Sequence, residues 1–80
     1  MQIAAQITLY PLRQEKLSPI IEGAWEILGE FPLDLKKGEM STVVSGEAEE
    51  VFSALRKVFL SSAEKGPISM IVTFSNTCPI

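Results

Sequence analysis

QIAAQITLY, residues 2–10, alternates strictly between two sets of side chains. The first set is apolar and consists of Ile3, Ala5, Ile7 and Leu9. The second set is more polar and consists of Gln2, Ala4, Gln6, Thr8 and Tyr10. Because successive side chains of a strand point to opposite faces, the pattern predicts a β-strand with one face toward a core. Pro11 lacks a backbone N–H, so regular pairing should end there, and a polar loop should follow over residues 12–16.

The segment after this loop has the sequence pattern of a helix. Ser18 is a candidate N-cap, and Pro19 stands at the first helical position, where a missing N–H costs nothing. Apolar residues then recur at intervals of three and four, which predicts a core-facing stripe of Leu17, Ile20, Ile21, Ala24, Trp25 and Leu28. Gly29 and Pro32 end the helix. Gly23 lies inside it, either because close packing requires glycine or because the position tolerates it.

A hairpin and a second helix occupy the middle of the chain. Residues 33–37 and 41–45 look like short strands joined at Gly38, where a tight turn would use the positive φ open to glycine. Three carboxylates suit the positive end of the macrodipole of a following helix: Glu47, Glu49 and Glu50. The apolar stripe of this helix consists of Ala48, Val51, Phe52, Leu55, Val58, Phe59 and Ser62. The helix should run to about Glu64, before the sequence Lys65-Gly66-Pro67.

A last strand completes the predicted fold. Residues 68–75 alternate again, with one apolar face made of Ile68, Met70, Val72 and Phe74. The order strand, helix, strand, strand, helix, strand matches the βαββαβ ferredoxin-like fold. This fold is an α+β sandwich in which two helices cover one face of a four-stranded antiparallel sheet. No internal repeat or linker divides the sequence, so residues 1–80 are predicted to form a single domain.

Composition argues against several classes of function. Eighty residues, 46% of them hydrophobic, suffice for one small domain with a thin core. No apolar run approaches the ~18 residues that a membrane span requires. A net charge of −3 is unsuited to neutralising many phosphates, which argues against nucleic acid as a partner. The first residues do not resemble a signal peptide, and one cysteine permits no internal disulfide, so we expect a cytoplasmic protein.

Catalytic and metal-binding patterns are absent from the sequence. There is no histidine, and Cys78, beside Pro79, has no obvious base. The carboxylates of Glu47, Glu49 and Glu50 are explained more simply by the start of a helix than by acid–base chemistry. No group of residues has the spacing of metal ligands, and no GxxxxGK phosphate loop occurs. The sequence therefore predicts a protein that is not an enzyme and that uses neither a metal nor a cofactor.

The sheet face without helices is the most informative predicted surface. It should carry Gln6, Thr8, Tyr10, Ile71, Thr73 and Ser75. In the usual strand order the first and third strands are central, so residues 41–45 should lie beside them. These six side chains are uncharged, whereas a face left in water normally carries lysine and glutamate. Either a second subunit covers the face by sheet-on-sheet packing or a ligand is hydrogen-bonded there, and the two are compatible.

Four segments of the chain resemble one protein family: ITLYPL at 7–12, LSPII at 17–21, LDLKKGEMSTVVSGEAEEV at 33–51 and VTFSNTCP at 72–79. They cover nearly the whole chain and are similar to the YkoF-like family of thiamine or hydroxymethylpyrimidine binding domains. The resemblance implies a ferredoxin-like domain and assembly into dimers or tetramers through the sheets. It also implies a thiamine-type ligand that is bound near the open face without being chemically changed.

Within this resemblance, the open face offers partners for both halves of thiamine. The aminopyrimidine needs hydrogen-bonding groups, for which the candidates are Gln6, Thr8, Ser41, Thr42, Thr73 and Ser75. The thiazolium needs an aromatic or acidic neighbour such as Tyr10 or Glu39, and Met40 belongs to the same family-like segment. The first hypothesis is that the protein binds thiamine or its hydroxymethylpyrimidine moiety and acts as a carrier, buffer or sensor. The alternative is a structural or regulatory module that uses the open face only for self-association.

Overall fold

The structure, a computed structural model, describes residues 1–12, 18–38 and 41–77. Its elements, in chain order, are β1 (Gln2–Pro11), α1 (Ser18–Leu28), β2 (Asp34–Lys37), β3 (Thr42–Glu47), α2 (Ala48–Ala63) and β4 (Ile68–Ser75). The strands form one antiparallel sheet in the order β2-β3-β1-β4. The predicted βαββαβ ferredoxin-like fold is confirmed, with β1 and β3 at the centre of the sheet.

Strand β1 ends one residue later than its sequence predicts. It pairs with β4 as far as Pro11, which lies opposite Ile68. Leu12 then donates its N–H to the carbonyl of Pro67 at 2.8 Å, so the nitrogen of Pro11 points away from β4. On that other side the described β1–β3 ladder has already ended at Ile7. Proline is tolerated because its position in the strand does not require an N–H.

The core lies between the sheet and the two helices. Its buried members are Ile3, Ala5, Ile7, Ala24, Leu28, Val44, Val51, Ala54, Leu55 and Val58. In α1 the predicted stripe is confirmed at Ile20, Ala24 and Leu28, which are buried, and Trp25 is half-buried against the core. Leu17, the first residue of that stripe, lies outside the described residues. Among the described ranges, no helix is long and apolar enough to cross a bilayer.

The predicted stripe of α2 is wrong at its two phenylalanines. Phe52 is 53% exposed and Phe59 is 40% exposed. The buried face is centred on Val51, Leu55 and Val58, and each phenylalanine lies one residue further round the helix. The ring of Phe52 instead packs on Phe74 of β4, with 4.8 Å between the ring centroids. This pair forms an exposed apolar patch at the outer edge of the sheet.

Two glycines have roles that the sequence did not distinguish. Gly38 was expected to supply a positive φ, but its backbone lies outside that region, and the described glycine with positive φ is Gly66, at 145°. A Cβ on Gly38 would instead lie 2.6 Å from the carbonyl oxygen of Ser41, which accepts the Gly38 N–H at 2.9 Å. Inside α1, a Cβ on Gly23 would meet only the flexible Nζ of Lys65, at 3.1 Å. Close packing therefore requires glycine at position 38 and merely tolerates it at 23.

The junction between β3 and α2 lies slightly later than expected. Glu47 is the last residue of β3 and precedes the helix, whereas Glu49 and Glu50 lie in the first helical turn as predicted. The Glu47 carboxylate accepts hydrogen bonds from the N-terminal ammonium at 3.0 Å and from Gln2 at 2.9 Å. These two bonds, the ammonium first, lower the pKa of Glu47.

Candidate functional site

On the open face of the sheet, strands β1 and β4 carry the side chains that the sequence predicts. The register places Gln6 opposite Thr73, Thr8 opposite Ile71, and Ala4 opposite Ser75. The largest exposed side chains here are Ile71 and Tyr10, with 57% and 48% of their surface accessible. The charged side chains on this face are Asp34 and Lys36, which belong to the edge strand β2. The middle of the open face is therefore uncharged and partly apolar.

Thr42 does not belong to this face, and the expectation that it shares the face with Gln6 and Ser41 is wrong. Its strand partner is Ile7, whose side chain is buried beneath the helices. Its hydroxyl accepts a hydrogen bond from the indole N–H of Trp25 on α1, at 3.0 Å. The preceding residue, Ser41, accepts a bond from the Gln6 amide at 3.1 Å. The Ser41 hydroxyl therefore contacts Gln6 of the open face, whereas the Thr42 hydroxyl contacts α1.

A cleft of about 610 Å³ opens between α1 and one end of the sheet. Its walls are mainly apolar. Helix α1 contributes Ile21, Ala24, Trp25 and Leu28, and α2 contributes Val58. Strand β1 contributes its last five residues, 7–11, and the β2–β3 hairpin contributes Lys37, Gly38, Ser41 and Thr42. Its volume lies within the range of roughly 300–1,000 Å³ that is typical of small-molecule sites.

The cleft lies beside the end of β1, where the described pairings with the two neighbouring strands differ in length. The described β1–β3 pairing stops at Ile7–Thr42, whereas the β1–β4 pairing continues to Pro11–Ile68. Backbone groups alternate between the two sides of a strand, and Leu12 donates to β4. The N–H and C=O of Leu9, a residue that lines the cleft, are therefore directed away from β4.

Trp25 lies in the cleft wall contributed by α1 and contacts polar groups of β2 and β3. Its N–H is bound to Thr42, and the ammonium of Lys37 lies over its ring, 4.9 Å from the ring centroid. Because the Thr42 oxygen accepts the indole N–H, the hydroxyl proton of Thr42 can be donated to another group. The site thus combines an aromatic ring, a hydroxyl donor and a cation.

The structure separates the predicted site residues into three groups. Thr8, Tyr10, Ser41 and Thr42 line the cleft. Gln6, Thr73 and Ser75 lie on the open face outside the cleft lining, and Gln6 is connected to the cleft through its bond to Ser41. Glu39 and Met40 lie outside the described residues, as does Cys78. A role of the nine candidates in ligand binding stays a prediction.

Two residues of the cleft, Trp25 and Lys37, were not predicted as site residues, although the sequence contains a signal for each. Trp25 was expected in the core because it lies on the apolar stripe of α1, but an indole N–H at a packed position usually requires an acceptor. Lys37 follows Leu35 by two residues on β2, and that spacing places both on the helix-covered face. A lysine at such a position, at the end of an edge strand, indicates that the helix-covered face opens to solvent there.

A second, shallower depression of about 550 Å³ lies at the opposite end of the sheet. Its lining includes the carboxylates of Asp34, Glu47 and Glu50 beside Leu33 and Phe31. No group of residues able to hold a metal ion occurs in the described part of the chain. The Trp25 cleft is therefore the better candidate for a small-molecule site.

Comparisons with known proteins agree with the fold and assign a family. The sequence model of the YKOF-related family matches residues 2–80. Similar solved structures include a hypothetical protein from Methanocaldococcus jannascii (16% identity, TM-score 0.88, covering 96% of this chain and 81% of that one). A Streptococcus pneumoniae protein is similar at 16% identity, with TM-score 0.89 and coverage of 96% and 88%.

A third similar structure, from Thermotoga maritima, is that of a protein proposed to act in thiamine biosynthesis or salvage. It shares 16% identity over 96% of this chain and 85% of that one, with a TM-score of 0.85. At this identity the structural likeness shows a common fold. No match was found among curated protein sequences.

Proposed function

Because the chain belongs to the YkoF-related family, we propose that it is a non-catalytic binding protein for thiamine or its hydroxymethylpyrimidine moiety. The ligand occupies the cleft at Trp25, and the protein acts as a carrier, buffer or sensor. The observation that carries the proposal is the apolar cleft itself, with an aromatic ring and a hydroxyl donor on its wall. The proposed thiamine-related role of the Thermotoga maritima protein supports the choice of ligand.

The chemistry of the cleft is complementary to an aminopyrimidine. Such a ring has an apolar face, which can lie against the side chains of Ile21, Ala24 and Trp25. It also has ring nitrogens that accept hydrogen bonds and an amino group that donates them. The hydroxyl of Thr42 can donate to one of the ring nitrogens, because its oxygen already accepts the indole N–H of Trp25. Burial in an apolar cleft strengthens such a bond relative to water.

Titration calorimetry on two matched threonine variants tests this placement. Thr42→Val keeps the side-chain volume but removes the hydroxyl in the cleft, and it should weaken binding of hydroxymethylpyrimidine about tenfold. Thr73→Val removes a hydroxyl from the open face and should leave the affinity within about twofold of the unmodified chain. Circular dichroism melting of both variants verifies that the fold is retained.

Each result of this experiment has a definite meaning. Absence of heat with both thiamine and hydroxymethylpyrimidine, up to millimolar concentration, would contradict the proposed function. Loss of binding in Thr73→Val but not in Thr42→Val would show that the ligand binds at the open face and not in the cleft.

A second proposal concerns the open face, on which Ile71 and Tyr10 are exposed among small uncharged side chains. We propose that a second copy of the chain covers this face by sheet-on-sheet packing. Light scattering should then show a dimer or tetramer. Ile71→Lys should shift the population to monomers, because the new charge would be buried in the interface. Leu60→Lys, at a 48% exposed site on α2, is the control and should leave the assembly unchanged.

Monomers of the unmodified chain at high concentration would contradict this second proposal. Equal effects of the two lysine substitutions would contradict its placement on the open face.

A further inference from the structure

Lys37 is an unusual component of the cleft wall because it is exposed to solvent and brings a charge to the rim of a mainly apolar site. Strand alternation places it on the helix-covered face with Leu35, and its ammonium lies 4.9 Å from the ring centroid of Trp25. It is the one charged side chain in the described lining, which is otherwise mainly apolar. The ammonium therefore determines the sign of the local charge at the described cleft wall.

Resting on the function proposed above, we infer that the cleft selects an anionic form of its ligand. The chemical class is a phosphate monoester of the pyrimidine alcohol, in preference to the neutral alcohol and to the thiazolium cation of thiamine. Lys37 is the residue that determines this specificity. The pyrimidine ring occupies the apolar part of the cleft, and the phosphate lies within reach of the Lys37 ammonium.

The position of Lys37 disfavours a cationic ligand for two reasons. A thiazolium would bring a second positive charge close to the Lys37 ammonium, and the two charges repel, although the exposure of Lys37 to solvent weakens the repulsion. In addition, the aromatic face of Trp25 that a cation would use is already occupied by Lys37. A cation could enter only by displacing that contact.

The same geometry favours a phosphate. A lysine ammonium donates charge-assisted hydrogen bonds to phosphate oxygens, and these are roughly twice as strong as neutral ones. The hydroxyl proton of Thr42, which is available because its oxygen already accepts from Trp25, can add a further bond. The net charge of the chain is −3 and attracts cations over long range. An observed preference for an anion must therefore arise locally in the cleft.

Calorimetric titration with three probes tests the inference: hydroxymethylpyrimidine, its phosphate monoester and thiamine. In the unmodified chain the phosphate monoester should bind at least about tenfold more tightly than the alcohol. Lys37→Met keeps an unbranched apolar side chain but removes the charge, and it should reduce this ratio to about one. Lys37→Arg should retain the preference. The matched control is Lys36→Met, on the opposite face of the same strand, which should leave the ratio unchanged.

The outcomes separate this inference from the proposed function. If none of the three probes binds, the proposed function is wrong and the inference is wrong with it. If the alcohol binds but its phosphate ester binds no more tightly, the function stands and the inference is overturned. Equal changes in Lys37→Met and Lys36→Met would also overturn it, because the effect would then reflect net charge rather than the cleft.

Discussion

Replacement of Leu55 by alanine is expected to lower the free energy of unfolding by about 2–5 kcal/mol. Leu55 is 5% exposed and lies in the core between α2 and the sheet. The substitution removes buried apolar surface and leaves a cavity, because surrounding side chains relax only partly. A domain of this size has a thin core, so the loss is a large fraction of its total stability. Urea unfolding followed by circular dichroism measures the change.

The control for this prediction is the same substitution five residues further along the helix. Leu60 is 48% exposed, and Leu60→Ala should change the free energy of unfolding by less than about 0.5 kcal/mol. Both variants alter helix propensity by a similar small amount. The difference between them therefore reports burial. If the two variants were equally stable, the described orientation of α2 on the sheet would be wrong.

Gly38→Ala is expected to destabilise the domain by about 1–3 kcal/mol, the usual cost of overpacking. A Cβ at this position would lie 2.6 Å from the carbonyl oxygen of Ser41. The contact is with backbone, so rotation of a side chain cannot relieve it. The chain between β2 and β3 must shift, and the hydrogen bond from the Gly38 N–H to the same oxygen should weaken. Because Gly38 also lines the cleft, ligand affinity should fall along with stability.

Gly29→Ala is the matched control for this second prediction. There a Cβ would lie 3.4 Å from the carbonyl oxygen of Trp25, which is an ordinary contact, and φ does not require glycine. Its effect on unfolding should stay within about 0.5 kcal/mol. Thermal melting of the two alanine variants under identical conditions gives the comparison. A Gly38→Ala protein as stable as Gly29→Ala would show that the β2–β3 connection is less closely packed than described.

Much of the fold follows from local periodicity in the sequence. The period-two pattern of residues 2–10 and 68–75 predicts β1 and β4 to within one residue, and the three-to-four spacing predicts both helices. The open face also follows, because alternation decides which side chains of a strand share a face. These features depend on neighbours in the chain, so the order of residues contains the required information.

The exact register of β3 is less accessible from sequence. A shift of one residue moves every side chain of a strand to the other face, and the short hairpin offers few residues from which to choose the register. Thr42 was grouped with the open face for this reason, whereas its pairing with Ile7 turns it toward α1. The exposure of Phe52 likewise depends on how α2 is rotated on the sheet, which its own periodicity leaves uncertain by one residue.

The sequence by itself therefore determined the element order, the two faces of the sheet and, through resemblance, the family that the profile match confirms. Only the tertiary structure decided where the cleft lies and which residues surround it. The cleft lies beside the end of β1, where the described β1–β3 pairing is shorter than the β1–β4 pairing, and Trp25, Lys37 and Thr42 come together there from separate elements. Contacts between residues so distant in the chain leave no periodic pattern in the sequence, since they depend on how the helices and strands pack.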